Sequence, residues 1–182
     1  VELGFEGITY NSIDAVADRD YIAEFIAAAA ITQVHLSRFA EEIVLWASAE
    51  FGFLKLPDAF ATGSSMMPQK KNADVAELAR GRAGRVIGQF VNILANLKGQ
   101  PLAYNRDLQE DKAALLDAAS VVIPTLRIFA AMVPELVFDL DRMRAAAGGN
   151  FSLATDVADY LVKKGMPFRD AHHVVGSLVR EC

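Results

Sequence analysis

The stretch from Asp14 to Glu50, DAVADRDYIAEFIAAAAITQVHLSRFAEEIVLWASAE, decides the fold. It contains no Gly and no Pro, the residues that punctuate helices. Two apolar series run through it at heptad spacing: Ile22, Ala29, Leu36 and Ile43, and beside them Phe25, Thr32, Phe39 and Trp46. Four heptads in register predict a long helix packed in a bundle. At about 1.5 Å per residue it would be roughly 55 Å long. That is more than a small domain covers, so neighbours from other subunits are expected, and with them self-association through the helix faces.

Working outward, residues 1–12 read as an irregular lead-in with cap-like Asn11 and Ser12. Beyond Glu50, the segment Phe51 to Lys71 breaks the periodicity with Gly52, Pro57, Gly63 and Pro68. Asn72 is the expected N-cap of a second helix, with Asp74 in its first turn. Val75, Ala79, Val86, Phe90, Ile93 and Leu97 form its apolar side, and Gly99 and Pro101 stop it. After a polar connection, Tyr104 to Asp107, the pair Asp107 and Glu110 predicts a capping box opening a third long helix. Pro124 should kink that helix, and Pro134 ends it or begins a short one. The run Ala145 to Asn150 is the expected boundary between a helical-bundle domain, 1–146, and a small helical module, 147–182. Within the module, Leu153 to Lys164 closed by Gly165, then Arg169 to Cys182, read as helices. The expected class is all-α.

The chain has 182 residues, 53% of them hydrophobic, enough for a sizeable core. Its net charge of −5 argues against a general binder of nucleic acid or anionic membrane. With one Cys, Cys182, it can form no intrachain disulfide, which points to a reducing, cytoplasmic compartment. No uninterrupted apolar run approaches the ~18 residues that span a bilayer. The start at Val1 and the end at Cys182, inside a helix, read as the cut ends of a segment of a longer protein.

Chemistry concentrates in Gly63-Ser-Ser-Met-Met-Pro-Gln-Lys-Lys-Asn72, a loop running into a helix start. Ser64 and Ser65 supply hydroxyls, and Lys70 and Lys71 supply positive charge. Gly63 lets backbone approach a ligand, and helix-start amides hold anions. Together these suit a carboxylate or phosphate, and a solvated capping loop fits the composition equally. The second Gly of a P-loop is missing before the lysine. This loop resembles the signature of the fumarase/aspartase superfamily of elimination enzymes. Three further stretches narrow the resemblance to the argininosuccinate lyase family: Asn11 to Ala15 with Asp18-Arg19-Asp20, Tyr104-Asn-Arg-Asp-Leu-Gln-Glu-Asp-Lys112, and Ala154-Thr-Asp156 with Tyr160 to Arg169.

That family breaks argininosuccinate reversibly into arginine and fumarate, a step of arginine biosynthesis and the urea cycle, and the resemblance assigns roles accordingly. Ser64 would be the base, with Ser65 the alternative one residue on. Lys70 would stabilise the developing negative charge, and Asn72 would hydrogen-bond substrate. Glu77 would orient Lys70 or a catalytic His, against the simpler reading of a solvated helix carboxylate. Tyr104, Gln109 and Lys112 map onto substrate-binding positions, and Arg19 joins them as an active-site salt-bridge residue, against the simpler reading of an exposed first-turn charge. Arg80, Arg82 and Arg85 read as residues of intersubunit or intrahelix ion pairs, with a substrate role the lesser alternative. His35, His172 and His173 lack metal-ligand spacing with acidic partners, and no metal or organic cofactor is implied.

The resemblance further implies a homotetramer whose active sites are shared between subunits. Ala73 stands where the family has Pro after the loop's Asn, which should alter loop rigidity. The family's catalytic-acid His belongs to an N-terminal region outside this sequence, so the 182-residue chain alone is expected to be inactive. The competing readings are a superfamily lyase acting on adenylosuccinate, aspartate or fumarate, and a non-catalytic scaffold like the delta crystallins of the same family.

Overall fold

Helix formation starts at Asn11, whose side chain accepts from the backbone N–H groups of Ile13 and Asp14 at 3.1 and 3.2 Å. The computed structural model describes residues 2–67, 70–149 and 151–181. The single helix expected over Asp14 to Glu50 is two: α1, Ser12–Ala17, and α2, Asp20–Ala47. The break coincides with one local contact and one distant one. Asp18 turns extended, and its carboxylate accepts from the Asp20 N–H at 2.8 Å. Arg19 leaves the helical path to reach Asp111 on a distant helix. With 28 residues, α2 is about 42 Å long at ~1.5 Å per residue, shorter than expected.

Two more long helices follow, α3 over Asp74–Leu97 and α4 over Asp111–Met132. Their starts correct two expectations. Asn72 is not the N-cap of α3. It pairs with Thr62 in a two-stranded ladder, and Ala73 takes the cap position with no side-chain cap bond. Asp74 and Glu77 in the first turn instead meet the positive end of the helix. No capping box opens α4. Residues Arg106–Glu110 form a 3-10 turn that runs straight into it. Pro124 lies inside α4 without ending it, and the short turn Val133–Glu135 around Pro134 follows.

The burial pattern orients these helices. Ile22, Ile26, Ala29 and Ala30 of α2 share one core cluster with Val86 and Ile93 of α3 and Ala114, Ala118, Val121 and Val122 of α4. Ala40 and Ile43, near the other end of α2, share a second with Ala76 and Ala79 and with Phe129 and Met132. Hence α3 runs antiparallel to α2 and α4. The first heptad series is largely the buried one. Phe25 and Phe39 of the second are 41% exposed each, while Thr32 and Trp46 are half-buried, so that face of α2 is only partly covered by the described residues. By length and composition α4 could cross a membrane, but here it is the third core helix.

Small elements close the bundle end. Strand β1, Leu54–Lys55, pairs antiparallel with β4, Val137–Phe138; β2, Thr62–Gly63, pairs antiparallel with β3, Lys71–Asn72. Helix α5, Leu140–Ala147, starts at Asp139, whose side chain accepts from the Arg142 N–H at 3.0 Å. Arg142 Nη2 donates to the carbonyls of Ala49 and Glu50, 3.0 Å each, just past the C-terminus of α2, where a cation is favoured. Helices α6, Ala154–Lys163, and α7, Phe168–Glu181, pack on each other around Ala158, Ala171 and Val175, with Gly165 between them at φ +97°. Of the residues read from sequence, Val1, Pro68, Gln69, Asn150 and Cys182 lie outside the described ones.

Candidate active site

The signature loop is the tip of the β2–β3 hairpin. Two ladder pairs, Thr62 with Asn72 and Gly63 with Lys71, bring its ends together, and Ser64 N donates to the Lys70 carbonyl at 3.3 Å. Ser64, Lys70 and Asn72 therefore belong to one hairpin. Inside it, Ser64 Oγ accepts from the backbone N–H groups of Met66 and Met67 at 3.2 and 3.1 Å. Two N–H donors aimed at one oxygen stabilise negative charge on it. The hydroxyl of Ser65 has no such arrangement among the described contacts. Around Gly63, the position a Cβ would occupy opens on free space, so the backbone there is approachable.

Side-chain ties anchor the hairpin to its surroundings. Thr62 Oγ1 donates to Asp74 at the start of α3, and Lys71 pairs with Asp58. Lys70 lines an open cleft with Met67, Lys55 and Lys71, against the end of α2. Glu77 sits exposed in the first turn of α3. Arg80, one turn further on, is held protonated chiefly by its hydrogen bond and charge contact with Glu41; Glu77 adds to this and slight burial opposes it.

The other candidate residues gather around the start of α4. Ala103 has φ +98°, a conformation unusual for a residue with a side chain. It turns the chain immediately before half-exposed Tyr104. Gln109 and Lys112 are exposed, flanking buried Leu108 and Asp111. Arg19 Nε donates to Asp111 Oδ2 at 2.5 Å, and Lys112 Nζ lies 3.3 Å from Asp111 Oδ1. Burial pushes the Asp111 carboxyl up, but the hydrogen bonds from Arg19 and Lys112 outweigh it, so the group lies below its ordinary value.

The two groups of residues do not meet within one chain. The hairpin sits at the N-terminal end of α3, and Asn96, near its other end, holds the Arg106–Glu110 turn. The 24 residues of α3 separate them by about 35 Å at ~1.5 Å per residue. Sequence reading did not single out Asp111, because its partner Arg19 is 92 positions away. The one local signal was its place beside Lys112. Nor did it find the tie from Thr62 to Asp74. Among the described residues there is no cluster of His, Cys, Asp and Glu suited to a metal.

Two family models match: one described as lyase over residues 1–88, the other as argininosuccinate lyase C-terminal over residues 151–182. The chain is 60% identical over 181 residues to an argininosuccinate lyase of Moorella thermoacetica and 59% identical to one of Ralstonia pickettii. Along its whole length it is similar to argininosuccinate lyases. It spans 39% and 38% of the length of those relatives, while they match 100% of it. Among solved structures, EDDS lyase in complex with formate superposes with a TM-score of 0.73 at 34% identity, over 98% of this chain and 36% of that one. A class II fumarase of Schistosoma mansoni superposes with a TM-score of 0.80 at 19% identity, over 98% and 38%. That second likeness shows the fold alone, a bundle of long helices of the kind the heptads predict.

Proposed function

We propose that this chain carries the base loop and one substrate wall of an argininosuccinate lyase. The reaction is the reversible anti-elimination of argininosuccinate to arginine and fumarate. The observation that carries the reading is the hairpin that joins Ser64, Lys70 and Asn72, in which two backbone N–H groups point at Ser64 Oγ. An ordinary serine is a very weak base, and such donors are what the role requires. Ser64 Oγ, as the alkoxide, takes the proton from the carbon next to a substrate carboxylate. The electron pair moves into that carboxylate as an aci-carboxylate, and Lys70 stabilises the added charge. The pair then returns to form the double bond of fumarate while the carbon–nitrogen bond breaks. An acid outside this sequence protonates the departing guanidinium nitrogen. Asn72, Tyr104, Gln109 and Lys112 hold the substrate, and Glu77 orients the charged groups at the helix start.

The distance between hairpin and substrate wall supports a shared site. Residues about 35 Å apart along α3 act on one molecule only if different copies contribute them. The assembly is a homotetramer with sites shared between subunits, working in the cytoplasm. Its bundle domain comprises residues 1–146, and residues 147–182 begin the C-terminal module.

Fumarate release by the full-length protein, followed by absorbance, tests the reading. Ser64→Ala should lower kcat by at least about 10²-fold with little change in KM, because the base acts on the transition state. Loss of turnover in Ser65→Ala with Ser64→Ala active would move the base by one residue. Two active variants would refute the mechanism. Absence of fumarate from argininosuccinate, with release from adenylosuccinate or aspartate, would transfer the chain to another superfamily activity.

A further inference from the structure

The turn bearing Gln109 and the start of α4 bearing Lys112 are gripped at three closely spaced points. Asn96 Nδ2 donates to the Asp107 carbonyl at 2.9 Å. Leu108 inserts its side chain into the protein at 1% exposure. Asp111, 3% exposed, accepts from Arg19. Gln109 and Lys112 project to solvent between and beside these anchors. The guanidinium of Arg19 is committed to the chain itself. Its Nε serves Asp111, and its Nη1 donates to the carbonyls of Val16 and Asp18 at 3.0 and 2.7 Å. It thereby stitches the α1–α2 break to the start of α4.

We propose that Asn96, Arg19 and Asp111 are positioning residues that set the pose of Gln109 and Lys112 toward the substrate, with Arg19 acting through Asp111 rather than on the substrate. The proposal rests on the reading that Gln109 and Lys112 hold argininosuccinate. Its physical basis is the exposed placement of those two side chains: among the described residues Gln109 has no side-chain partner, and Lys112 has only Asp111, 3.3 Å from its Nζ. Their freedom is limited by the backbone beneath them, and that backbone is held by one neutral hydrogen bond and one buried ion pair. Losing either should loosen ground-state and transition-state binding together, which appears in KM. The same guanidinium also holds the α1–α2 break through the carbonyls of Val16 and Asp18.

The test uses the full-length protein with Asn96→Ala, Asp111→Asn, Arg19→Gln and Arg19→Lys. Each of the first three should raise KM by about tenfold with kcat within about threefold. Arg19→Lys should recover part of the loss. Arg19→Gln combined with Asp111→Asn should be no worse than the weaker single variant, because the two act as a pair. Asn96→Ala leaves no buried charge unpaired, so it keeps the test open should the charge variants fail to fold. Amide hydrogen exchange at Gln109 and Lys112, faster by about tenfold in Asn96→Ala, reads the grip without turnover. Unchanged exchange and unchanged KM would overturn the proposal, as would a loss confined to kcat. A wild-type protein that releases no fumarate would refute the function alone, and the exchange measurement would still decide the positioning.

Discussion

Gly52→Ala is the substitution whose cost follows most directly from the geometry. Gly52 has φ +59°, and a side chain in that region costs about 1–2 kcal/mol. A Cβ there would also lie 2.7 Å from Arg142 Nη1 and 2.8 Å from Arg142 Cζ. The guanidinium is the end of a flexible side chain, so it would swing away rather than force the backbone apart. Its two hydrogen bonds to the carbonyls of Ala49 and Glu50 would then be lost. Both are solvent-exposed, so their joint worth is about 1 kcal/mol rather than the larger value of buried charged bonds. The expected total is about 2–3 kcal/mol. A double-mutant cycle with Arg142→Ala, read by urea denaturation or by the shift in Tm, separates the parts. Gly52→Ala should cost about 1 kcal/mol less when Arg142 is already absent. Gly52→Asn should lie between, since Asn tolerates positive φ but still displaces Arg142. Equal costs in both backgrounds would show that the guanidinium contributes nothing, and a total below about 0.5 kcal/mol would refute the backbone argument too.

Ile26 is fully buried between the long helices, so Ile26→Ala should destabilise by about 2–5 kcal/mol in the same denaturation assay. Asp111 and Asp117 both lie below the ordinary carboxylate range, Asp111 because hydrogen bonds from Arg19 and Lys112 outweigh its burial, Asp117 chiefly through its hydrogen bond with Arg85. Groups with lowered folded-state values stabilise above the unfolded value, and that contribution is lost as pH falls through the folded one. Tm should therefore drop on acidification below about pH 4, and Asp117→Asn should flatten that part of the profile. The separation of hairpin and substrate wall predicts complementation: Ser64→Ala and Gln109→Ala chains, each impaired alone, should regain part of the activity when co-expressed. Mixed assemblies no more active than the separate variants would refute shared sites. Light scattering should find an assembly, and a stable monomer of the full-length protein at micromolar concentration would count against it.

Much of the architecture was legible because it is local. The absence of Gly and Pro from Asp14 to Glu50, together with the apolar heptads, determines helix by itself, since backbone propensity and one apolar face suffice. Gly99 and Gly165 likewise mark real chain reversals, both at positive φ. The signature loop and the Tyr104 to Lys112 stretch were legible as candidate site segments because their residue types and spacing are written in the chain. What only tertiary structure decided are the places where a distant partner outweighs local preference. Arg19 interrupts a helix that its neighbours would continue, because Asp111 offers a buried carboxylate 92 residues away. Asn72, a good cap by type, is taken into a strand because Thr62 and Gly63 supply the facing backbone. The separation of the base hairpin from the substrate wall was decided the same way, since it follows from the antiparallel course of α3, which the shared cores at the two ends of the bundle impose.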